Sequence, residues 1–373
     1  MTKRQLILRD TTLREGAQVP GVRIADADKQ RFVALLDEIG VPEIEIGLPD
    51  GLNASVDLAR FIRQHRLRIQ PTALVPCYTA RWRQQIGIAA DCGLRVDVLV
   101  PVSDHLLRDR SHYQMAAGEI LPRLSEVILY AKERGVLAAA ALMDAGRAPR
   151  ARLVEIAAKL VADRLVIYDS VGTLLPWQMS ALVKEVCKAT AIPVLVHCHN
   201  DHGMAGANTL AAFEAGAAAA DVAVNGLGGR AGNAALEEVV MALENLCGVS
   251  TGVDARRLRE LSAFVERISG ISNSPLKPVV GRYCFAHAPV MHIRCIAGGN
   301  PQAFEPFDPR LVGKERTYSF GLPVDYAAAL EPLLRKSGAK PSEEQIGRLL
   351  KKLRSRPDWS EAEVLKQIDE ICR

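Results

Sequence analysis

The sequence predicts an α/β protein whose main part is a (β/α)8 barrel, also called a TIM barrel. Within the first 270 residues, eight short apolar runs alternate with segments of helical spacing. The runs are rich in β-branched residues and apolar throughout, which is typical of parallel strands covered by helices on both sides. Polar residues follow nearly every run, as expected for a barrel whose chemistry lies at the carboxyl ends of its strands.

The predicted strands cover, in chain order, residues 5–10, 43–47, 70–75, 95–102, 136–143, 164–170, 193–199 and 221–226. Between them, segments such as 26–40 and 121–135 place apolar residues at helical spacing. A doubly wound open sheet is the alternative fold. Such a sheet usually carries a glycine-rich phosphate loop after its first strand, and the sequence RDTTLREG is not such a loop. The pattern therefore favours the closed barrel.

Composition narrows the class of protein. The chain has 373 residues, of which 49% are hydrophobic and 24% charged, with a net charge of +4. This charge is small and no run of basic residues occurs, so we expect no nucleic-acid partner. No apolar run is long enough for a membrane span, and charges interrupt the N-terminal segment too early for a signal peptide. The eight cysteines form no CxxC pair, which favours reduced, mostly buried thiols in the cytoplasm.

The stretch VLVHCHND, residues 194–201, carries the strongest chemical signal. His197 and His199 are two positions apart and therefore lie on one face of a predicted strand. They form either a hydrogen-bonded pair or part of a metal site. Other predicted strand ends also carry polar groups, among them Arg9, Asp10, Arg14, Glu15, Glu45, Ser103, Asp104, His105, Asp144, Asp169, Ser170 and Asn225. This convergence favours a metal site, because two imidazoles and one carboxylate leave open positions on a divalent ion.

Three motifs carry a family resemblance: LRDTTLREGAQVPG (8–21), HCHNDHGMAGANTLAAFEAGA (197–217) and VNGLGGRAGNAALEEV (224–239). Together they resemble the metal-dependent Claisen-condensing enzymes, which include isopropylmalate, citramalate and homocitrate synthases; acyl-CoA lyases share the barrel. The resemblance covers nearly the whole chain. The stretch VPVSDHLLRDR (100–110) and the lack of a long regulatory C-terminus are most similar to the short bacterial homocitrate synthases of the nitrogen-fixation type.

The resemblance implies a role for individual residues of the barrel. Glu15, His197 and His199 match the family's metal ligands, and Asn233 matches an asparagine near the metal. Arg14 matches the arginine that faces the oxo group of the substrate, where a fixed positive charge suits an oxygen that gains negative charge. Ser170 stands where relatives have a threonine that can bind a carboxylate. For Asn233 and Ser170 the alternative is loop or helix capping.

Two further residues complete the predicted substrate contacts, namely His105 and Arg147. Arg147, together with Arg108 and Arg110, could hold a second anionic group of the substrate. Exposed helix charges are the more common explanation for such arginines.

We assign residues 1–270 to the barrel, 271–320 to a linker subdomain and 321–373 to a C-terminal helical segment. The linker is rich in proline, glycine and aromatic residues and resembles the family's linker, which reaches the active site of the partner in a homodimer. There His292 matches the family's catalytic histidine, and His287 is also retained. Tyr318 lies near the position of a catalytic tyrosine, with core packing as the alternative. The final segment opens with a capping box, Ser342 followed by Glu344-Gln345.

The resemblance implies condensation of acetyl-CoA with a 2-oxo dicarboxylic acid or related oxo acid at Mg²⁺, Mn²⁺ or Zn²⁺. The chain departs from the family's pattern at three places. Ala141 and Met143 replace a serine and a glutamate that assists proton transfer, Gly229 replaces a glutamate, and Pro289 to Met291 replace Ser-Gly-Ile. These changes indicate a paralogue with a shifted substrate, for which a phosphonate- or phosphinate-bearing pyruvate analogue is one candidate. An acyl-CoA retro-aldol lyase and a non-catalytic paralogue remain as alternatives.

Overall fold

The computed structural model describes residues 6–50, 54–109, 111–113 and 115–372. Arg110, one of the cations considered above, lies outside the described residues. The chain divides into two compact units, one of residues 1–254 and 261–272, the other of residues 255–260 and 273–373. Each unit is described by itself.

The first unit contains a closed barrel of eight parallel strands, each hydrogen-bonded to its neighbours in chain order. The barrel closes where the last strand pairs with the first, in a register that sets Ile7 beside Ala219 and Asp10 beside Val222. The strands are β1 (Ile7–Asp10), β2 (Glu43–Glu45), β3 (Gln70–Pro76), β4 (Arg95–Pro101), β5 (Ala138–Met143), β6 (Arg164–Asp169), β7 (Val194–Cys198) and β8 (Ala219–Val222). The predicted TIM barrel is confirmed.

Helices alternate with these strands along the chain, and two more follow the last strand. In chain order they are α1 (Thr12–Gly16), α2 (Asp26–Ile39), α3 (Ala54–Gln64), α4 (Trp82–Cys92), α5 (Asp104–Leu107), α6 (Ile120–Glu133), α7 (Arg150–Lys159), α8 (Pro176–Ala189), α9 (Ala205–Ala215), α10 (Leu236–Asn245) and α11 (Leu258–Ser269). Helix α2 begins with acidic residues in its first turn. It ends at Ile39 and is capped by Gly40, whose φ of 95° lies in the left-handed region. A Cβ at Gly40 would also lie 2.5 Å from the carbonyl oxygen of Gly252, so both backbone angle and space require glycine.

The eighth strand differs most from its predicted limits. The apolar run predicts residues 221–226, whereas β8 ends at Val222. A short 3-10 turn over Val224–Gly226 follows, in which Asn225 and Gly226 have φ angles of 62° and 69°. Positive φ angles cannot continue a strand, so the run VNG belongs to the loop that carries site residues.

The second unit is built on a small sheet that the sequence analysis did not foresee. Its strands are β9 (Ala286–His287), β10 (Thr317–Tyr318) and β11 (Trp359–Ser360), with β10 parallel to β9 and antiparallel to β11. Strands of two residues leave no periodic signal. The helices of this unit are α12 (Val290–Ala297), α13 (Ala327–Ser337), α14 (Glu343–Leu353) and α15 (Glu361–Cys372).

The core of the second unit draws on residues before and after position 320. Ile293, Tyr318, Leu330, Leu349 and Ile368 belong to one buried cluster. The predicted linker and the predicted terminal segment therefore share a core. The predicted capping box is confirmed, since the Ser342 hydroxyl accepts from the Gln345 amide at 3.2 Å and the Gln345 side chain accepts from the Ser342 amide at 2.8 Å.

No disulfide joins the cysteines in the described part of the chain. Cys77, Cys92, Cys198 and Cys372 are buried, but Cys247 is exposed, so the expectation of mostly buried thiols holds for only part of the set. Among the described helices, none combines the length and the hydrophobicity that crossing a bilayer requires.

Candidate active site

The predicted metal ligands meet at the carboxyl ends of the barrel strands. Glu15 lies in α1, directly after β1, while His197 is in β7 and His199 follows it. One ligand atom from each of these three buried residues lies within 4.8 Å of the others. Asn233 joins them because its backbone forms an antiparallel bridge with that of His199.

The two imidazoles and the carboxylate direct their polar atoms at one point. Glu15 Oε1 lies 3.4 Å from His197 Nε2 and 3.9 Å from His199 Nε2, and the two Nε2 atoms are 3.3 Å apart. On the other side of the ring, His197 Nδ1 lies 2.9 Å from Asp221 Oδ2. A carboxylate accepts this hydrogen bond, so the ring hydrogen is on Nδ1 and the lone pair of Nε2 faces Glu15 and His199.

Both imidazoles are held in the neutral form. Burial lowers the pKa of His197, and burial together with the neighbouring His197 lowers the pKa of His199 to about 3. Their Nε2 atoms face each other at 3.3 Å, and the buried Nδ1 of His199 has no hydrogen-bond partner in the described part of the chain. A divalent cation fits such a donor set, and these three residues are the ones that would hold it.

A buried ionic network supports this cluster from within the barrel. Arg9 donates to Asp221 from Nε at 2.7 Å and from Nη2 at 3.0 Å, and its Nη1 lies 2.8 Å from Asp97. Burial by itself would raise the pKa of Asp221, but Arg9 and His197 hold it below the usual range. Asp221 therefore stays ionised and fixes the orientation of the His197 ring.

Arg14 extends the network to the metal-binding cluster. Its guanidinium contacts the carboxylates of both Glu15 and Glu45, including Nη2 to Glu45 Oε2 at 3.2 Å. Glu45 also lies 3.7 Å from Arg9, so one carboxylate faces both arginines. In this connected set, the guanidinium groups of Arg9 and Arg14 face four carboxylates, those of Glu15, Glu45, Asp97 and Asp221. When all are ionised, the set carries two more negative than positive charges, which a divalent cation would neutralise.

Neighbouring side chains also pack against the metal-binding cluster and restrict the position of His197. The ring of Tyr168 stacks on His197 with centroids 4.4 Å apart. Asn233 Nδ2 lies 3.0 Å from His197 Nε2, while its buried Oδ1 has no hydrogen-bond partner. A Cβ at Gly228 would lie 1.9 Å from that oxygen, so the loop requires glycine at this position. Asn233 therefore lies beside the predicted ligands, and its amide oxygen is able to accept a hydrogen bond or coordinate a metal ion.

The predicted substrate contacts divide into two groups. Ser170 accepts from the backbone amide of Asp144 at 2.8 Å, and the Asp144 carboxylate binds the Arg147 guanidinium at 2.7–3.0 Å. Arg147 is therefore already neutralised by an acidic neighbour. His105 and Arg108 are exposed, in and directly after the short helix α5.

Met143, which replaces the family's glutamate, ends β5 and is half-buried. Its sulfur lies 4.0 Å from the hydroxyl of Tyr78, and both side chains pack against the apolar cluster inside the barrel. The position therefore contributes apolar surface.

The remaining predicted catalytic residues belong to the second unit. The ring of His292 is half-buried and stacks on Phe304 at 3.8 Å, with His287 at 5.8 Å. Tyr318 is fully buried, and its hydroxyl donates to Glu361 at 3.0 Å. This environment favours the packing alternative for Tyr318.

Sequence reasoning missed Asp221 and Tyr168 and noted Arg9 and Glu45 only as strand-end residues. An ionisable residue within a barrel strand is a signal, since strands covered on both faces are otherwise apolar. The partner of such a residue, however, depends on strand register, which the pattern does not contain.

The chain is similar to known proteins in both sequence and fold. The HMGL-like family model matches residues 5–265. Homocitrate synthase AksA of Methanopyrus kandleri is 36% identical over 372 residues, covering 99% of this chain and 92% of the relative. A probable 2-isopropylmalate synthase of the same organism is 37% identical over 352 residues, covering 94% of this chain and 69% of the relative.

Among solved structures, hydroxymethylglutaryl-CoA lyase from Pseudomonas aeruginosa matches with a TM-score of 0.63 at 24% identity, covering 73% of this chain and 96% of the lyase. That likeness is one of fold. With a family model matched over most of the barrel and relatives aligned over nearly the full chain, this protein belongs to the HMGL-like family.

Proposed function

We propose that this protein condenses acetyl-CoA with a 2-oxo acid at a divalent metal held by Glu15, His197 and His199. The observation that carries the proposal is that two buried imidazole Nε2 atoms and a carboxylate lie close together beside the guanidinium of Arg14. The two synthases to which the chain is similar support a condensing enzyme, and their near-equal identities leave the oxo acid open.

In this reaction a proton leaves the methyl group of acetyl-CoA, and the enolate carbon attacks the carbonyl carbon of the oxo acid. The carbonyl oxygen gains negative charge and then a proton. Water hydrolyses the thioester to release CoA and a carboxylate. When bound, a divalent ion supplies Lewis-acid polarisation of the carbonyl group.

Arg14 would stabilise the developing negative charge on that oxygen. Its two-point contact with Glu45 fixes the guanidinium before the substrate arrives, which is the condition for strong electrostatic stabilisation. Asp221 keeps the lone pair of His197 directed at the site. Asn233 offers its unsatisfied amide oxygen to the metal or to the substrate.

For proton transfer we propose His292, supplied by the partner subunit of a homodimer. Its half-buried imidazole, held against Phe304, is accessible enough to exchange protons. Met143 has no proton to donate or accept, so the role of the family's glutamate would pass to His292 or to water. We assign Tyr318 no proton-transfer role, because its buried hydroxyl is engaged with Glu361.

The decisive experiment measures CoA release from acetyl-CoA in the presence of a panel of 2-oxo acids with Mg²⁺, Mn²⁺ or Zn²⁺. The panel begins with the predicted 2-oxo dicarboxylic acids and phosphonate- or phosphinate-bearing pyruvate analogues. A condensing enzyme releases CoA only when the oxo acid is present. Formation of acetyl-CoA from a hydroxyacyl-CoA would indicate a lyase instead, and neither reaction would indicate a non-catalytic paralogue.

Metal binding is tested on the same preparations. His199→Ala should lose bound metal and turnover together, whereas His202→Ala should keep both. His202 is a matched control because it lies three positions further along and bonds to the carbonyl oxygen of Gly172 at 2.8 Å, outside the cluster. Full metal content in His199→Ala would contradict the ligand assignment.

The contribution of a partner subunit is tested by mixing two inactive variants. Glu15→Ala lacks a metal ligand and His292→Ala lacks the proposed proton carrier, so mixed dimers would contain one intact site. His292→Ala alone should lower the rate by about 10²-fold or more, the usual scale for general acid–base catalysis. No recovery in mixtures shown to contain heterodimers would count against a site shared between subunits.

A further inference from the structure

A cavity of about 480 Å³ opens beside Arg14 at the carboxyl ends of strands β1 to β4. This size lies within the usual range of small-molecule pockets, roughly 300–1,000 Å³. Most of its walls are apolar, and they include Leu13, Ile46, Leu58, Leu74, Pro76 and Leu99. A group attached to a substrate at Arg14 would therefore enter an apolar chamber.

The cations that line this pocket already have partners. Among the described residues that line it, Arg14 and Lys29 are the only cations. Arg14 contacts Glu15 and Glu45. The Lys29 side chain is 27% exposed, and its ammonium group donates to Asp26 at 2.8 Å.

Two further polar residues that line the cavity, Ser55 and Tyr78, also have contacts within the protein. The Ser55 hydroxyl donates to the carbonyl oxygen of Leu48 at 2.7 Å. The hydroxyl of Tyr78 points at the thioether of Met143, 4.0 Å away. A second carboxylate or a phosphonate placed here would lose its hydration without gaining a cation of its own, which is unfavourable.

Met143 continues this apolar wall towards the centre of the barrel. With Tyr78 it packs against the cluster that contains Leu74 and Leu99, two residues that also line the cavity. The ring of Tyr78 is in turn held edge-on by Tyr113 at 5.0 Å. The methionine at the end of β5 therefore adjoins the pocket wall through Tyr78.

We propose that this pocket receives the variable substituent of the oxo acid, and that the substituent is apolar, aliphatic or aromatic, with four or more carbons. The inference rests on the proposed condensing function and names the substrate class for that site. The volume accommodates a substituent of this size, since 480 Å³ holds more than ten water-sized groups at roughly 30 Å³ each.

The test is the dependence of kcat/KM for CoA release on the oxo acid at saturating acetyl-CoA. Straight-chain 2-oxo acids of increasing length, 4-methyl-2-oxopentanoate and phenylpyruvate are compared with oxaloacetate, 2-oxoglutarate and phosphonopyruvate. Each added methylene should raise kcat/KM about fourfold until the pocket is full, the effect expected of complete burial. Each dicarboxylate should react at least about tenfold more slowly than the apolar acid of equal length.

Different failures have different meanings. Rates that do not depend on chain length would overturn the inference, because another group, such as the pantetheine arm of acetyl-CoA, would then occupy the cavity. Preference for 2-oxoglutarate or phosphonopyruvate would overturn it as well, while leaving the condensing function intact. If no oxo acid releases CoA, the proposed function itself fails.

A charge-introducing variant tests the location of the pocket. Leu48 lines the cavity and is 36% exposed, so Leu48→Arg should fold and place a cation on the wall. The ratio of kcat/KM for 2-oxoglutarate to that for 2-oxohexanoate should rise by about tenfold or more. Leu129→Arg is the matched control, since Leu129 is 59% exposed on α6, and is not among the cavity's lining residues. An unchanged ratio in Leu48→Arg would contradict the assignment of this pocket to the oxo acid.

Discussion

Asp221 offers the sharpest test of how the barrel prepares its metal site. The Asp221 carboxylate accepts from Arg9 at 2.7 and 3.0 Å and from His197 Nδ1 at 2.9 Å. Asp221→Asn keeps the shape but leaves only one oxygen to accept. If that oxygen faces Arg9, the new amide hydrogens meet His197 Nδ1, and the ring must move its hydrogen to Nε2. The lone pair directed at Glu15 and His199 is then lost.

In the opposite orientation the amide oxygen faces His197, and the amide NH2 group faces the N–H donors of Arg9, so that contact is repulsive. In both orientations the negative charge of Asp221 is lost. Loss of a carboxylate that orients a metal-binding histidine typically lowers metal affinity about 10- to 100-fold. We therefore expect a loss of about 1.4–2.7 kcal/mol in the free energy of metal binding. Calorimetric titration of the metal-free protein with Zn²⁺ measures it directly.

Asp97→Asn is the matched control for this experiment. Asp97 also contacts Arg9, at 2.8 Å, and its substitution removes the same charge without touching His197. Metal affinity in Asp97→Asn should stay within about threefold of the unmodified protein, because surrounding charge alone has a smaller effect than ligand orientation. Equal losses in both variants, or no loss in Asp221→Asn, would refute the argument from the histidine tautomer.

Three further predictions concern stability and selectivity. Burial raises the pKa of Asp97 from 3.8 to about 6, so the folded protein keeps a proton that the unfolded chain releases, and the free energy of unfolding falls as pH rises through this window. Urea unfolding at low and at neutral pH measures this, and Asp97→Asn should reduce the fall by up to roughly 3 kcal/mol. An unchanged dependence of the free energy of unfolding on pH would show that Asp97 stays ionised in the folded protein throughout this window. Tyr318→Phe removes one hydrogen bond to Glu361 and should cost about 1 kcal/mol of stability with kcat within threefold, whereas a hundredfold loss of kcat would restore the catalytic assignment. Met143→Ala should change the ratio of kcat/KM among oxo acids more than kcat itself, and a uniform loss for all of them would argue against a role in the pocket wall.

Most of the barrel could be predicted from the sequence because its signals are local. Continuous apolar runs and helical spacing identify strands and helices without knowledge of their partners. The limits of β8 were misplaced because Val222, Ala223 and Val224 continue the apolar pattern, while Asn225 and Gly226 adopt the positive φ angles of the loop that carries Asn233. The sheet of the second unit was missed for a different reason, since two-residue strands such as Thr317–Tyr318 are too short to show alternation.

The candidate site, like the barrel, could be predicted from the sequence where its signals are local. His197 and His199 share a face by the period of a strand, and Glu15 entered through the resemblance of its motif. The environments of Tyr318 and Arg147 were not predictable, because neither a buried hydroxyl bonded to Glu361 nor a guanidinium bonded to Asp144 can be inferred from spacing along the chain.

By itself the sequence determined the fold class, the trio of candidate ligands and the family, since all three depend on patterns within short segments. Only the tertiary structure decided which distant groups act together. Arg9 and Asp221 are 212 positions apart and form a buried ion pair because closing the barrel sets β1 beside β8 in one register. The apolar chamber beside Arg14 likewise exists only where the ends of four strands meet. Register and cavity are properties of how strands pack, and a one-residue shift in pairing would change both while leaving every local pattern intact.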